Sequence, residues 1–117
     1  MKLSIAELQK INAFCGEPVE REITWMQGEQ EYTATVYVRR MSYKTTVSDL
    51  QNAKDGSGSV LAGRIASCIC DEEGKPVFTV DDITGEADPQ RGPLDGSLTM
   101  ALLAVIAEVN GLGKPTS

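Results

Sequence analysis

Polar and apolar residues alternate most strictly between residues 19 and 41. Tyr32, Ala34, Val36 and Val38 alternate with polar or charged side chains, which is the period of a strand with one buried face. The β-rich segment before them, 19–27, ends at a polar tetrapeptide that contains Gly28, and glycine suits a tight hairpin turn. The pattern therefore predicts a long β-hairpin in the N-terminal half.

The N-terminal segment has helical spacing instead. Ser4 and Glu7 form a capping-box sequence, which marks the start of a helix. Apolar residues then recur three and four positions apart at Ile5, Leu8, Ile11 and Cys15, so a helix is predicted over 5–14. Its apolar stripe packs either on its own domain or on a neighbouring subunit.

A second helix is predicted near the C-terminus. Ser97 is a candidate N-cap, and the sequence Asn110–Gly111 is a typical helix end. Between them lies a wide apolar face at Leu98, Ala101, Leu102, Val105, Ile106 and Val109. Residues 112–117 are predicted to form a mobile tail.

The segment Val60–Cys70 fits two structures. Leu61, Ile65 and Ile69 have helical spacing, whereas 64–70 also alternates as a strand. The turn-like residues 71–75 followed by Pro76-Val77-Phe78 favour the strand, and with it a second hairpin. Shorter elements are predicted around it: a helix over 45–53, a flexible loop over 54–59, a helix starting after Thr79 and a loop over 85–96.

These elements predict an α+β fold: a small single domain with a long hairpin, a second hairpin and helices at both ends. The chain has 117 residues, which suits one domain over 1–111 followed by the tail. Its composition is 41% hydrophobic but only 5% aromatic, so the core should be aliphatic.

Composition argues against an enzyme. The chain has no histidine, which excludes Ser-His-Asp and Cys-His catalysis and His-ligated metal sites. It has neither a P-loop nor an EF-hand loop, so we expect no metal and no cofactor. The three cysteines, Cys15, Cys68 and Cys70, are an odd number, which favours small apolar residues in a reducing cytoplasm over disulfides. A Cys-x-Cys redox pair is the alternative.

Charge limits the class of partner. The net charge is -6, which disfavours binding to nucleic acid, and no apolar run approaches the roughly 18 residues of a membrane span. Seven acidic residues lie within 71–88, which form either a solvated face or an electrostatic docking surface. The basic cluster Arg39, Arg40 and Lys44 is either solvated or contacts an acidic partner.

Two segments carry a resemblance to a known family. Arg64–Ile83 reads RIASCICDEEGKPVFTVDDI and Leu102–Gly111 reads LLAVIAEVNG. An apolar strand, an Asp-rich turn with Gly-Lys-Pro and Phe, an Asp-Asp-hydrophobic element and a C-terminal helix ending at Asn-Gly follow in this order. This order resembles the tail assembly chaperones of long-tailed, lambda-type bacteriophages, and the opening LSIAEL is similar as well.

The resemblance implies a non-enzymatic role in phage or prophage tail morphogenesis, in the host bacterial cytoplasm. The implied partners are the tape-measure protein, the tail-tube protein, further copies of the chain and a longer frameshifted product of the same gene. The implied chaperone is absent from the mature virion; a structural tail or head–tail component is the alternative. Candidate protein contacts on the apolar helix faces are Leu8, Ile11, Leu102 and Val105, although each also suits the core.

Overall fold

The structure is a computed structural model that describes residues 2–11, 13, 17–43 and 60–111. Its elements follow in the order α1 (Ile5–Lys10), β1 (Val19–Gln27), β2 (Gln30–Val38), α2 (Val60–Cys68), β3 (Ile69–Cys70), α3 (Val80–Thr84) and α4 (Gly96–Asn110). The strands form one antiparallel sheet in the order β1-β2-β3. The predicted α+β class is confirmed.

The predicted hairpin is confirmed, with β2 ending at Val38. The strands β1 and β2 pair from Val19↔Val38 to Gln27↔Gln30. The two residues between them include Gly28, whose φ of 67° is the left-handed value that hairpin turns of the primed types require. One face of the ladder packs inward, and it includes the buried residues Ile23 and Val38.

Helix α4 packs on this inner face and supplies the centre of the core. Its N-cap is Asp95, whose carboxylate accepts a hydrogen bond from the Leu98 amide at 3.0 Å. The prediction that Ser97 is the cap is therefore wrong by two residues, because Asp95 reaches the exposed amides first. The predicted end is confirmed, since Gly111 takes the left-handed C-cap conformation with φ 67°.

The core is aliphatic, as the composition predicted. In the described part of the chain it contains ten buried residues, which come from the strands and from α2, α3 and α4: Ile23, Val38, Ala62, Ile65, Cys68, Ile69, Ile83, Leu102, Val105 and Ile106. Helices α2 and α4 contribute three or more of these residues each. Burial of so much apolar surface is the dominant force that holds the hairpin to the helices.

The predicted second hairpin is present only in part. Residues 60–68 form helix α2, so the strand interpretation is wrong there and the helical spacing of Leu61 and Ile65 was the better guide. Only Ile69–Cys70 form a strand, which pairs with the end of β2. The predicted turn follows, and a single bridge joins Cys70 to Pro76. Ala62, Gly63, Ile65 and Cys68 are buried, and this tertiary packing selects the helix.

Helix α1 is shorter than predicted and buries no residue. Ser4 caps it, accepting from the Glu7 amide at 3.2 Å, but it ends at Lys10 rather than at residue 14. The amide of Ala13 donates to the Leu8 carbonyl, five residues earlier, so the regular i→i−4 ladder stops. Ile5 and Ile11 of the stripe are exposed and Leu8 is half-buried, and docking of the stripe on its own domain or on a neighbouring subunit stays a prediction.

Helix α3 begins at the predicted cap. Thr79 and Asp82 form a reciprocal capping box, and Gly85 ends the helix with φ 94°. A Cβ at Gly85 would lie 2.7 Å from the Pro93 nitrogen, so only glycine fits. The amide of Leu94 then donates to the Ile83 carbonyl at 3.1 Å, which fixes the predicted 85–96 loop against α3 and directs it into α4.

The remaining predictions fall outside the described residues. These are the helix over 45–53, the flexible loop 54–59, the mobile tail 112–117 and the environment of Cys15.

Candidate protein-interaction surface

An open groove lies where the turn end of the hairpin meets the beginning of α4. Its volume is about 600 Å³. Apolar side chains from three separate segments line it, together with polar groups at its edges: Gln27, Val77, Phe78, Asp82, Arg91, Gly92, Pro93, Leu94, Asp95 and Leu98. We call this the apolar groove. Concave apolar surfaces with a polar edge are the usual form of a binding site.

The apolar groove continues inward as a narrower apolar pocket of about 190 Å³. Val77, Phe78 and Leu98 line both, and the pocket reaches the core residues Ile23 and Leu102. The half-buried ring of Trp25 lies in its wall and stacks on Tyr32 with the ring centroids 5.7 Å apart. The core is therefore open on this side, and side chains of a partner can extend it.

A fixed ion pair forms one edge of the groove. The guanidinium of Arg91 donates to Asp82 at 2.9 Å, and the Thr79 amide donates to the same carboxylate at 2.9 Å. The hydrogen bond from the Thr79 amide, and after it the bond from Arg91, lowers the pKa of Asp82 below its ordinary value of 3.8. The edge of the groove is thus charged and held in place.

Asp82 belongs to a segment that is rich in acidic residues. Residues 71–88, which we call the acidic segment, carry seven Asp and Glu residues and one basic residue, Lys75. Asp71 organises its turn by accepting hydrogen bonds from the amides of Glu73 and Lys75, both at 2.9 Å. The segment is divided in space: Asp82 lines the groove with Asp95 and Arg91, whereas Glu73 and Gly74 line a polar pocket with Arg39 beyond the end of β2.

A second apolar surface lies on residues 2–11, which we call the N-terminal arm. Leu3, Ile5 and Ile11 are exposed, and Leu8 is half-buried. Exposed aliphatic side chains this close together indicate a contact surface for another molecule.

The four candidate contact residues differ in their exposure. Leu102 is 2% exposed and Val105 5% exposed, so both belong to the core. Leu8 and Ile11 lie on the N-terminal arm, where Ile11 is 57% exposed. Leu8 and Ile11 therefore stay candidates for protein contact, whereas the structure gives Leu102 and Val105 the packing role that was their alternative.

Val77, Phe78 and Leu98 of the groove and Trp25 of the pocket beneath it were not predicted as a site. Leu98 was assigned to the apolar face of its helix, and Val77 and Phe78 entered as part of a turn motif. A weak signal was available in the two large aromatic residues of an aromatic-poor chain. Only the fold brings residues 25, 77 and 98 together.

Arg39, the first residue of the basic cluster, lies in the wall of a pocket. With Arg40, Glu17, Glu73 and others it lines a small polar pocket of about 220 Å³. Burial raises the pKa of the Cys70 thiol, and a hydrogen bond from Arg39 acts in the opposite direction. Cys68 and Cys70 are buried and not disulfide-bonded, and since Cys68 ends a helix the two are not neighbours on one strand face.

In residues 2–11, 13, 17–43 and 60–111, no three His, Cys, Asp or Glu side chains group in a way that could hold a metal ion. None of the described helices combines the length and the apolar character that crossing a bilayer requires.

Comparison with known proteins identifies the family. The family described as "Phage tail assembly chaperone, TAC" matches residues 6–110. Among solved structures, the tail assembly chaperone of bacteriophage HK97 is similar, with 18% sequence identity, 97% of this chain and 100% of that chain covered, and a TM-score of 0.49. Curated protein sequences give no match. Because the family match covers most of the sequence, the chain belongs to the phage tail assembly chaperones.

Proposed function

We propose that this chaperone binds the tape-measure protein while the tail tube polymerises, acts without catalysis, and is absent from the finished virion. The observation that carries the proposal is the apolar groove, which leaves the core open between β1, α4 and the 76–78 segment. A client with exposed apolar side chains is the kind of molecule that such a groove accommodates.

The proposed binding mode is a helix in a groove. A tape-measure protein of the kind the family resemblance implies is long and helical, and it exposes an apolar stripe until the tube encloses it. An amphipathic helix can lay such a stripe into an apolar groove through side chains at i, i+3 and i+4. Trp25, Phe78 and Leu98 would then contact the stripe, while Asp82 and Arg91 face its polar flank.

The acidic segment contributes solubility in this proposal. A complex of an apolar client with an apolar groove tends to aggregate, and net charge of one sign opposes aggregation. The chain has a net charge of -6, and two of its carboxylates, Asp82 and Asp95, line the groove. Each single contact can stay weak, because several copies on one long client bind it by multivalency.

The proposal includes further partners: the tail-tube protein, other copies of the chain and a longer frameshifted product of the same gene, all in the host bacterial cytoplasm. The family match supports the tail-assembly setting of these partners.

The proposal is tested by affinity purification of the tagged chain from cells in which tails are assembling. Mass spectrometry is applied to the eluate and to purified particles. We expect the tape-measure protein in the eluate and no copy of this chain in the particles. Finding the chain in particles would instead support a structural tail or head–tail component.

A matched pair of variants tests the groove itself. Val77 in the groove and Leu61 on α2, outside it, are both aliphatic and both 52% exposed. We expect Val77→Asp to remove the tape-measure protein from the eluate and Leu61→Asp to retain it, with circular dichroism showing both variants folded. Equal capture by the two variants would overturn the groove as the client site.

A further inference from the structure

The apolar pocket beneath the groove has room for one aromatic ring. Its volume is about 190 Å³, and an apolar protein cavity of about 150 Å³ is already large enough to bind benzene. The space exists because α4 packs mainly against β1. It exists also because Ala34, which pairs with Ile23 in the ladder, has the smallest side chain on the inner face of β2. One ring-sized group can therefore lie against the sheet at this place.

Aromatic side chains are concentrated at this pocket. The whole chain has one Trp, three Tyr and two Phe, and both Trp25 and Phe78 line the pocket. Tyr32 stacks on Trp25 with the ring centroids 5.7 Å apart. Aromatic rings attract each other beyond the apolar area that they bury. The walls of the pocket therefore favour another ring over an aliphatic group of equal size.

The distribution of charge selects an uncharged occupant. Among the residues that the structure describes, no Asp, Glu, Lys or Arg lines the pocket. Burial raises the pKa of Cys70, the thiol in its wall, so this group is neutral at pH 7. The charged side chains of Asp82 and Arg91 stay outside, where they pair at the edge of the groove. A complementary occupant is neutral inside the pocket, because an unpaired charge buried there would lose its hydration, and polar where it crosses the edge of the groove.

We propose that the pocket is a binding site for one phenyl ring, which a phenylalanine of the client supplies through the apolar groove. Val77, Phe78 and Leu98 line both the groove and the pocket, so a helix in the groove can place one side chain in the pocket. Phenylalanine is the matching residue, because the indole of Trp is larger and the hydroxyl of Tyr needs a polar partner when it is buried. The inference rests on the proposed function, since it takes the client to be the molecule in the groove.

Benzene is the probe that tests the pocket without any client. Titration of benzene into the full chain, followed by NMR of the methyl groups, should shift the signals of Ile23 and Leu102, which lie in the pocket wall. The signals of Leu61 on α2 should not move. Cyclohexane, an aliphatic ring of similar size, should bind about twofold to tenfold more weakly because it lacks the attraction between aromatic rings. The absence of a saturable shift with benzene, or equally tight binding of cyclohexane, would overturn the proposal.

A variant that fills the pocket from within gives a sharper test. Ala34 is half-buried and lines the pocket, so Ala34→Leu occupies the space of the ring without adding a charge. Ala104→Leu is the matched control, because Ala104 is exposed on α4 and lines neither the pocket nor the groove. We expect Ala34→Leu to weaken benzene binding at least about tenfold and Ala104→Leu to leave it unchanged, with circular dichroism showing both variants folded. If Ala34→Leu does not fold, Ala34→Val replaces it. Benzene binding that the filled pocket leaves unchanged would overturn the proposal.

Client capture separates this inference from the proposed function. In the affinity purification, Ala34→Leu should retain less tape-measure protein than Ala104→Leu, and saturating benzene should lower capture by wild type. If Ala34→Leu captures the client as wild type does while Val77→Asp loses it, the groove serves the client and the ring assignment is overturned. If wild type binds benzene as expected but captures no tape-measure protein, the proposed function fails and the ring site itself stands.

Discussion

Asp82 joins three interactions at the start of α3. Its carboxylate accepts hydrogen bonds from the Thr79 amide and from the Arg91 guanidinium, and its amide donates to the Thr79 hydroxyl. These groups stabilise the ionised carboxylate, which is why its pKa is lowered. A carboxyl group whose pKa is lower in the folded state than in the unfolded state contributes stability above its unfolded pKa, and the contribution is lost as pH falls through the folded pKa.

Asp82→Asn should therefore reduce the free energy of unfolding at pH 7, and the difference from wild type should narrow as pH falls below 3.8, the ordinary value for this group. Chemical denaturation of both proteins at pH 7 and at a pH below 3.8 measures the difference in the free energy of unfolding. Asp81→Asn, a neighbouring exposed carboxylate on α3, is the control. A difference that stays constant with pH would contradict the assigned hydrogen bonds.

Gly85 is required for two reasons, its positive φ and the contact with Pro93. Gly85→Ala should cost about 1–3 kcal/mol from the left-handed backbone alone and more from the Cβ placed 2.7 Å from the Pro93 nitrogen. Gly92→Ala is the matched control, because Gly92 also has positive φ but nothing lies within 4 Å of its Cβ position. Thermal denaturation should show the larger loss for Gly85→Ala; equal losses would contradict the close approach.

At the scale of elements, the two apolar helices have different roles. Helix α4 buries Leu102, Val105 and Ile106, while α1 buries nothing. Similar apolar spacing in the two sequences therefore leads to opposite structural outcomes. The difference is decided by whether the sheet offers a facing surface to the stripe.

This contrast predicts separate effects on stability. Leu102→Ala should cost about 2–5 kcal/mol, as for other fully buried leucines. Ile11→Asp should change the free energy of unfolding by no more than about 0.5 kcal/mol, as for an exposed position. Urea unfolding of dilute monomer measures both. A large loss for Ile11→Asp would mean that the arm packs on its own domain.

On the scale of the whole molecule, the acidic segment reaches two different places. Its turn lies beyond the end of β2, where Glu73 and Gly74 line a polar pocket with Arg39, whereas Asp82 lines the apolar groove together with Arg91. Electrostatic interactions at these two places are partly screened, with a Debye length of about 10 Å at 0.1 M salt. Apolar contact in the groove is not screened in this way.

The sequence by itself determined the features that depend on neighbouring residues. The hairpin follows from strict alternation and Gly28, the start of α3 from Thr79 and Asp82, and the end of α4 from Gly111. The absence of histidine excluded whole classes of chemistry without any structure. These are local properties, since backbone conformation and capping involve residues within a few positions of each other.

Only the tertiary structure decided the rest. Residues 60–68 fit helix and strand almost equally, and burial of Ala62, Ile65 and Cys68 against the core selects the helix. The pocket beneath the apolar groove exists because Trp25, Val77 and Leu98, from three distant segments, meet against the sheet. The exposure of α1 is equally non-local, since a stripe in the sequence cannot tell whether its partner surface lies in the same copy. Packing between distant segments has no signature in any single stretch of the chain.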